Sequence, residues 1–190
     1  MKPAELLSIL SVAERLKCNT RHCYTSNGRH ESVAEHSWRI ALMAMLITPE
    51  FPEADMDKVI RMCLIHDLGE AFTGDIPTFD KTASDTEKED ALFARWVQTL
   101  PEENRREWSL LLEEMNALET LEAKIYKALD KMEAVIQHNE SDIATWLPLE
   151  YDLQLRYGAE NVKFSPWFQS LKEEIDCWTN RKIAESRMHE

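Results

Sequence analysis

Glycine is scarce in this chain, with 4 in 190 residues, and proline adds only 7. So little turn-forming material, beside abundant Leu, Ala, Glu, Lys and Met, favours helices over sheets. Cysteine is equally thin: Cys18, Cys23, Cys63 and Cys177 form no C-x-x-C pair, which argues against a structural disulfide or a cysteine zinc site and fits a reducing cytoplasm. Long apolar runs are missing. The longest, Ile40 to Ile47, is far too short to cross a bilayer, and the charged start Met1-Lys2-Pro3-Ala4-Glu5 leads into no secretory signal. Basic excess is missing too. A net charge of −13 argues against a nucleic-acid duplex or an anionic membrane as partner, but not against a small phosphate ester, which senses only the field of its own pocket. With no repeat, low-complexity tract or linker, residues 1–190 read as one domain with a substantial core.

What is present is a series of helices, and the fold class expected is all-α with no strand. Pro3 to Lys17 is amphipathic, with Leu6, Leu7, Leu10, Ala13 and Leu16 on one broad face. Asn19 to Arg29 reads as a loop. Ser32-Val33-Ala34-Glu35 is a capping box opening a helix to Ile47, which Pro49 stops. Further helices are expected over 57–71, 86–100, 102–115 and 118–138. A shorter segment then leads to Tyr157-Gly158, and a last helix begins near Pro166 and runs to Arg187. The six tryptophans are scattered and read as packing residues, while His30, His138 and His189 read as surface residues.

The chemistry concentrates at Leu64-Ile65-His66-Asp67-Leu68-Gly69-Glu70, where an apolar helical run ends in an imidazole beside a carboxylate, with a second carboxylate one turn on. Burying such groups unpaired costs several kcal/mol, roughly, and a divalent cation compensates them well. His36, after the capping box, and Asp130, in the helix 118–138, complete a set of two imidazoles and two carboxylates that suits a first-row divalent metal. Val59, Cys63, His66 and Glu70 share one stripe, so Glu70 faces the same pocket without being a ligand. Asp130 is less clear from periodicity. It lies off the apolar stripe Leu118, Leu121, Ile125, Leu129, Met132 and Ile136, where a solvated acid is the ordinary reading.

Ser32-Val33-Ala34-Glu35-His36-Ser37, His66-Asp67-Leu68-Gly69-Glu70, Thr73-Gly74-Asp75-Ile76-Pro77 and Leu129-Asp130-Lys131-Met132-Glu133, in that order and spacing, resemble the HD-domain phosphohydrolases. The nearest branch is the 5′-deoxynucleotidases, which hydrolyse deoxyribonucleoside 5′-monophosphates. The resemblance covers roughly 21–138, leaving 139–190 to complete the bundle or a dimer interface. It implies an HD-type helical bundle, a homodimer, and a metal held by His36, His66, Asp67 and Asp130. It also implies Glu70 and Asp75 as acids lining the catalytic pocket and Arg21 as the substrate-phosphate arginine. Glu133 is open to two readings, a group behind the site or a surface acid. His22 departs from the pattern, which has tryptophan there, packed near the sugar and helping to reject ribose; Tyr24 offers a replacement aromatic surface. No histidine lies between Leu68 and Leu129, so the resemblance implies one metal rather than two. Mn, Co, Fe, Ni, Zn and Mg all remain compatible with these ligands.

In the reaction so implied, Glu70 orients or deprotonates the attacking water, and Asp75 serves a sugar hydroxyl or the leaving-group proton. Arg21 offers a planar bidentate donor to the phosphate, while Arg29 and Lys81 read as solvated cations. Two alternatives stay open. One is action on another nucleotide (cyclic, triphosphate or signalling), and the other is a non-catalytic nucleotide- or metal-binding protein.

Overall fold

In the computed structural model, which describes residues 1–187, α1 (Pro3–Ala13) and α2 (Arg15–Cys18) precede a hairpin of β1 (Thr20–Tyr24) and β2 (His30–Ser32). There follow α3 (Val33–Leu46), α4 (Met56–Ile65), α5 (Glu70–Thr73), α6 (Ala83–Val97) and α7 (Glu102–Ala117). The chain then continues through α8 (Leu121–Glu140), α9 (Glu150–Arg156) and α10 (Pro166–Arg187). The all-α expectation holds, and no described helix is long and apolar enough to cross a membrane. His189, read from the sequence as a surface residue, lies outside the described residues.

Three helices carry the centre. α3 lies along α4, and both pack on α8, with Ile40, Met62, Ile125, Leu129 and Met132 fully buried between them. The capping box forms as the sequence predicts: the Ser32 hydroxyl accepts from the Glu35 amide, and the Glu35 carboxylate accepts from the Ser32 amide at 2.9 Å. α8 starts later than expected because Leu118 adopts a left-handed φ of 51° that ends α7, and Thr120 then caps the new helix through the Ala123 amide.

The segment expected to be a loop is instead the hairpin, antiparallel, with Thr20 opposite Ser32 and Tyr24 opposite His30. Its turn is closed by the Thr25 amide donating to the Arg29 carbonyl at 2.8 Å, with Gly28 at a φ of 83°. The strands are short and polar, so alternation gave no signal. What sustains them is packing of β1 on α8, with Cys23 buried. The first amphipathic helix also differs. It breaks at Glu14, α1 buries no residue completely, and Leu7 and Leu10 are 68% and 52% exposed.

Gly158, after α9, has a φ of 72°, and a Cβ there would stand 2.5 Å from Met132 Cε and 2.7 Å from Lys131 Cβ. Gly158→Ala is therefore expected to destabilise by about 1–3 kcal/mol through backbone strain and overpacking. A urea unfolding midpoint equal to wild type would show that the connection can shift away from α8 at no cost.

Candidate metal centre

α4 ends at Ile65, and the chain from His66 to Gly69 tightens into three-residue turns, with the Leu68 amide on the Ile65 carbonyl and the Glu70 amide on the Asp67 carbonyl at 3.1 and 3.0 Å. The continuous helix expected over 57–71 is thus interrupted at the His-Asp pair. Gly69 allows this corner to touch α6, because a Cβ there would meet Glu89 Cγ at 2.8 Å. The Asn19 side-chain amide donates to the Glu70 carbonyl at 2.6 Å and ties the corner to the residue just before β1.

The fold gathers His36, His66, Asp67 and Asp130 about one point. His36 Nε2 stands 3.4 Å from Asp130 Oδ1 and 3.8 Å from Asp67 Oδ2. His66 Nε2 stands 3.0 Å from Asp67 Oδ2 and 3.9 Å from Asp130 Oδ1. One donor atom each from His36, His66 and Asp67 lie within 4.8 Å of one another. Asp130 is buried, contrary to the solvated acid that periodicity alone favours.

The outer nitrogens of both rings are already engaged. His66 Nδ1–H donates to the Cys63 carbonyl at 2.9 Å, and His36 Nδ1 is paired with Glu133. Both Nε2 atoms are buried without a hydrogen-bond partner. Two imidazole nitrogens thus converge with two carboxylates, an arrangement that positive charge, a proton or a cation, satisfies. Burial and Arg21 act to lower the His36 imidazole, yet Glu133 and Asp130 raise it to about 9, so the site draws positive charge to itself. Glu70 reports the same field. Burial first, then Asp67, Asp75 and Glu89, push its carboxyl up to about 10, and its Oε2 is buried without a partner. These residues fit a divalent ion.

Arg21 and His22 on β1 and Asp75 on the loop after α5 border one pocket open to solvent. Arg21 Nη1 lies 3.4 Å from Glu31 and 3.5 Å from Glu133, a buried mooring that aims the guanidinium and holds it cationic. Burial raises the Asp75 carboxyl above the usual range, with Arg21 opposing. Arg29 is exposed, as expected, but Lys81 is half-buried and paired with Glu89 at 2.8 Å. Tyr24 packs on His30 at 4.0 Å between ring centroids and is not among the residues bordering the pocket.

Several functional neighbours escape sequence reading. Glu133, left open between a group behind the site and a surface acid, is fully buried against His36, Arg21 and Arg39. The signal was present: Tyr126, Asp130, Glu133 and Gln137, at spacings of four, three and four, form a second buried stripe on α8. Lys127 and Lys131 reach Asp130 Oδ2 at 2.9 and 3.4 Å. His138 is not the surface residue expected, for it is mostly buried and bonds Glu150 at 2.9 Å.

The sequence over residues 13–172 matches the family model described as HD domain. Curated relatives include the 5′-deoxynucleotidase HDDC2 of Homo sapiens, 32% identical over 184 residues (94% of this chain, 88% of that protein). The Xenopus laevis protein of the same name is 35% identical over 186 residues (95% and 90%). Among solved structures, a predicted metal-dependent phosphohydrolase from Magnetospirillum magnetotacticum superposes with a TM-score of 0.79 at 28% identity, covering 96% of this chain and 93% of that one. The family match over residues 13–172 and relatives that cover most of this chain's length agree, and the chain belongs to the HD domain family.

Proposed function

We propose that this protein is a metal-dependent phosphohydrolase that removes the 5′-phosphate from nucleoside monophosphates. The observation that carries the reading is the convergence of two unpartnered imidazole nitrogens and two carboxylates, with Arg21 moored on the same Glu133 that pairs with His36. The name shared by the curated relatives, 5′-deoxynucleotidase, supports the substrate class.

His36, His66, Asp67 and Asp130 would hold one divalent ion. Such an ion polarises a phosphoryl oxygen and acidifies a water molecule. Asp67 and Asp130 balance its charge, so a phosphate dianion needs cations supplied by the chain. Arg21 is aimed by Glu31 and Glu133 to take the phosphate oxygens. With a cation offsetting its neighbours, Glu70 would ionise and could accept the proton of the attacking water. Asp75, at the pocket wall, holds the proton that the leaving sugar oxygen takes up.

Phosphate release from a panel of deoxy- and ribonucleoside monophosphates, with cyclic nucleotides and triphosphates included, tests the reading. Turnover of monophosphates is expected with added Mn²⁺, Co²⁺ or Mg²⁺ and lost after chelation. Turnover confined to cyclic or triphosphate substrates, or metal binding without any turnover, defeats it.

The protein acts as a homodimer in a reducing cytoplasm, the compartment that its free cysteines suit. Light scattering is expected to give twice the chain mass of 22.2 kDa. A wild-type monomer would refute the dimer.

A further inference from the structure

We propose that Glu150 is a positioning residue, holding His22 so that Nδ1 of its ring accepts a hydrogen bond from an N–H or O–H group of the bound nucleoside. The inference rests on the nucleotide reading above and specifies how the nucleoside is read.

Glu150 lies at the start of α9, only 1% exposed. Its Oε2 accepts from the Leu147 amide at 2.7 Å, and its Oε1 faces two imidazoles, His138 Nε2 at 2.9 Å and His22 Nε2 at 3.4 Å. Burial acts to raise the Glu150 carboxyl, but the His138 bond and the Leu147 amide outweigh it and hold the group below the usual carboxylate range. An ionised carboxylate only accepts hydrogen bonds, so it favours a proton on whichever ring nitrogen faces it.

The two histidines then differ in what they have left to offer. His138 has both nitrogens engaged, since Nδ1–H donates to the Ala134 carbonyl at 2.9 Å, and its ring lies edge-on to Trp146. It is a strut. His22 has Nε2 turned to Glu150, while its Nδ1 has no hydrogen-bond partner among the described residues. The ring is edge-on to Phe79 at 5.3 Å, which fixes its plane in the pocket wall. In the neutral ring Nδ1 is a lone-pair acceptor. Arg21 and His22 border the same pocket, and with Arg21 on the phosphate in the reading above, the group offered to His22 belongs to the attached nucleoside. A sugar hydroxyl and a base amine share the donor chemistry required.

The test is kcat and KM for wild type, His22→Phe, His22→Asn and Glu150→Gln on AMP, dAMP, dIMP and 2-deoxyribose 5-phosphate. His22→Phe is expected to lower kcat/KM about 10-fold or more, through KM, for substrates that carry the donor. Loss with AMP alone places the donor at the 2′-hydroxyl. Loss with AMP and dAMP but not dIMP places it at the base amine, and equal loss with all four substrates at the 3′-hydroxyl. His22→Asn, which keeps an acceptor near the same position, is expected to recover most of the loss. Glu150→Gln is expected to reproduce the substrate pattern of His22→Phe. KM unchanged by His22→Phe on every substrate overturns the inference. So does a Glu150→Gln variant that melts earlier but treats all substrates as wild type does. A wild type that hydrolyses the sugar phosphate and no nucleotide removes the nucleotide reading itself, and is told apart by needing no variant.

Discussion

Asp67→Ala is expected to lower phosphate release more than about 10³-fold, equivalent to about 4 kcal/mol of transition-state stabilisation. Asp67 Oδ2 stands 3.0 Å from His66 Nε2 and 3.8 Å from His36 Nε2, so its removal opens the donor set at its centre. The fold is expected to survive, because the side chain is 21% exposed and belongs to a corner braced independently by the Asn19 bond to the Glu70 carbonyl. Elemental analysis of the purified variant is expected to find well under one metal per chain, with a far-UV circular dichroism spectrum like that of wild type. Full metal occupancy together with full activity would remove Asp67 from the centre.

Glu133 carries the second large effect, and here stability and function separate. Its carboxylate is fully buried and meets His36 Nδ1, Arg21 and Arg39 at once. Glu133→Leu takes one of two carboxylates from the Arg21 guanidinium and the Nδ1 partner from His36, and breaking a buried charged group of this kind costs about 3–5 kcal/mol. Glu133→Gln keeps the shape and one acceptor, so a smaller loss of stability is expected. It weakens the orientation and basicity of His36, and a 10–100-fold fall in metal affinity, roughly, is expected from losing a partner of this kind. Urea unfolding and metal titration on the two variants read these effects apart. If Glu133→Gln bound metal as wild type does, the His36 contact would be a packing feature of α8 alone. The pair also couples the two halves of the site, because Glu133 Oε2 lies 3.5 Å from the arginine that faces the pocket.

Much of the architecture was legible from local chemistry. The scarcity of glycine and proline, the capping box at Ser32 and the helical periods gave an all-α fold and the approximate limits of α3, α7 and α10. His66 and Asp67 stood out because ionisable groups interrupted an apolar stripe, whereas His36 and Asp130 were singled out by the resemblance, and the fold does bring the four together. The hairpin was not legible, since Arg21 and His22 sit in a short polar strand whose pairing depends on packing against α8. Glu133 was only half legible. A helix buried on two faces has two stripes, and reading one apolar stripe assigns the other to solvent.

His138 and Glu150 mark the limit more sharply. They are twelve residues apart, separated by the turn through Trp146, and no helical or strand period connects them. Their pairing exists only because α9 folds back beside α8 at the place where β1 presents His22.

The sequence by itself determined most of the helices, the Ser32 cap and the kind of chemistry at the His66-Asp67 corner, because these depend on neighbours three or four residues away. Tertiary structure decided which acids are buried, how Arg21 and His36 are moored, and what surrounds His22. Those depend on desolvation and on charges brought together from across the chain, and neither quantity exists until the helices have packed.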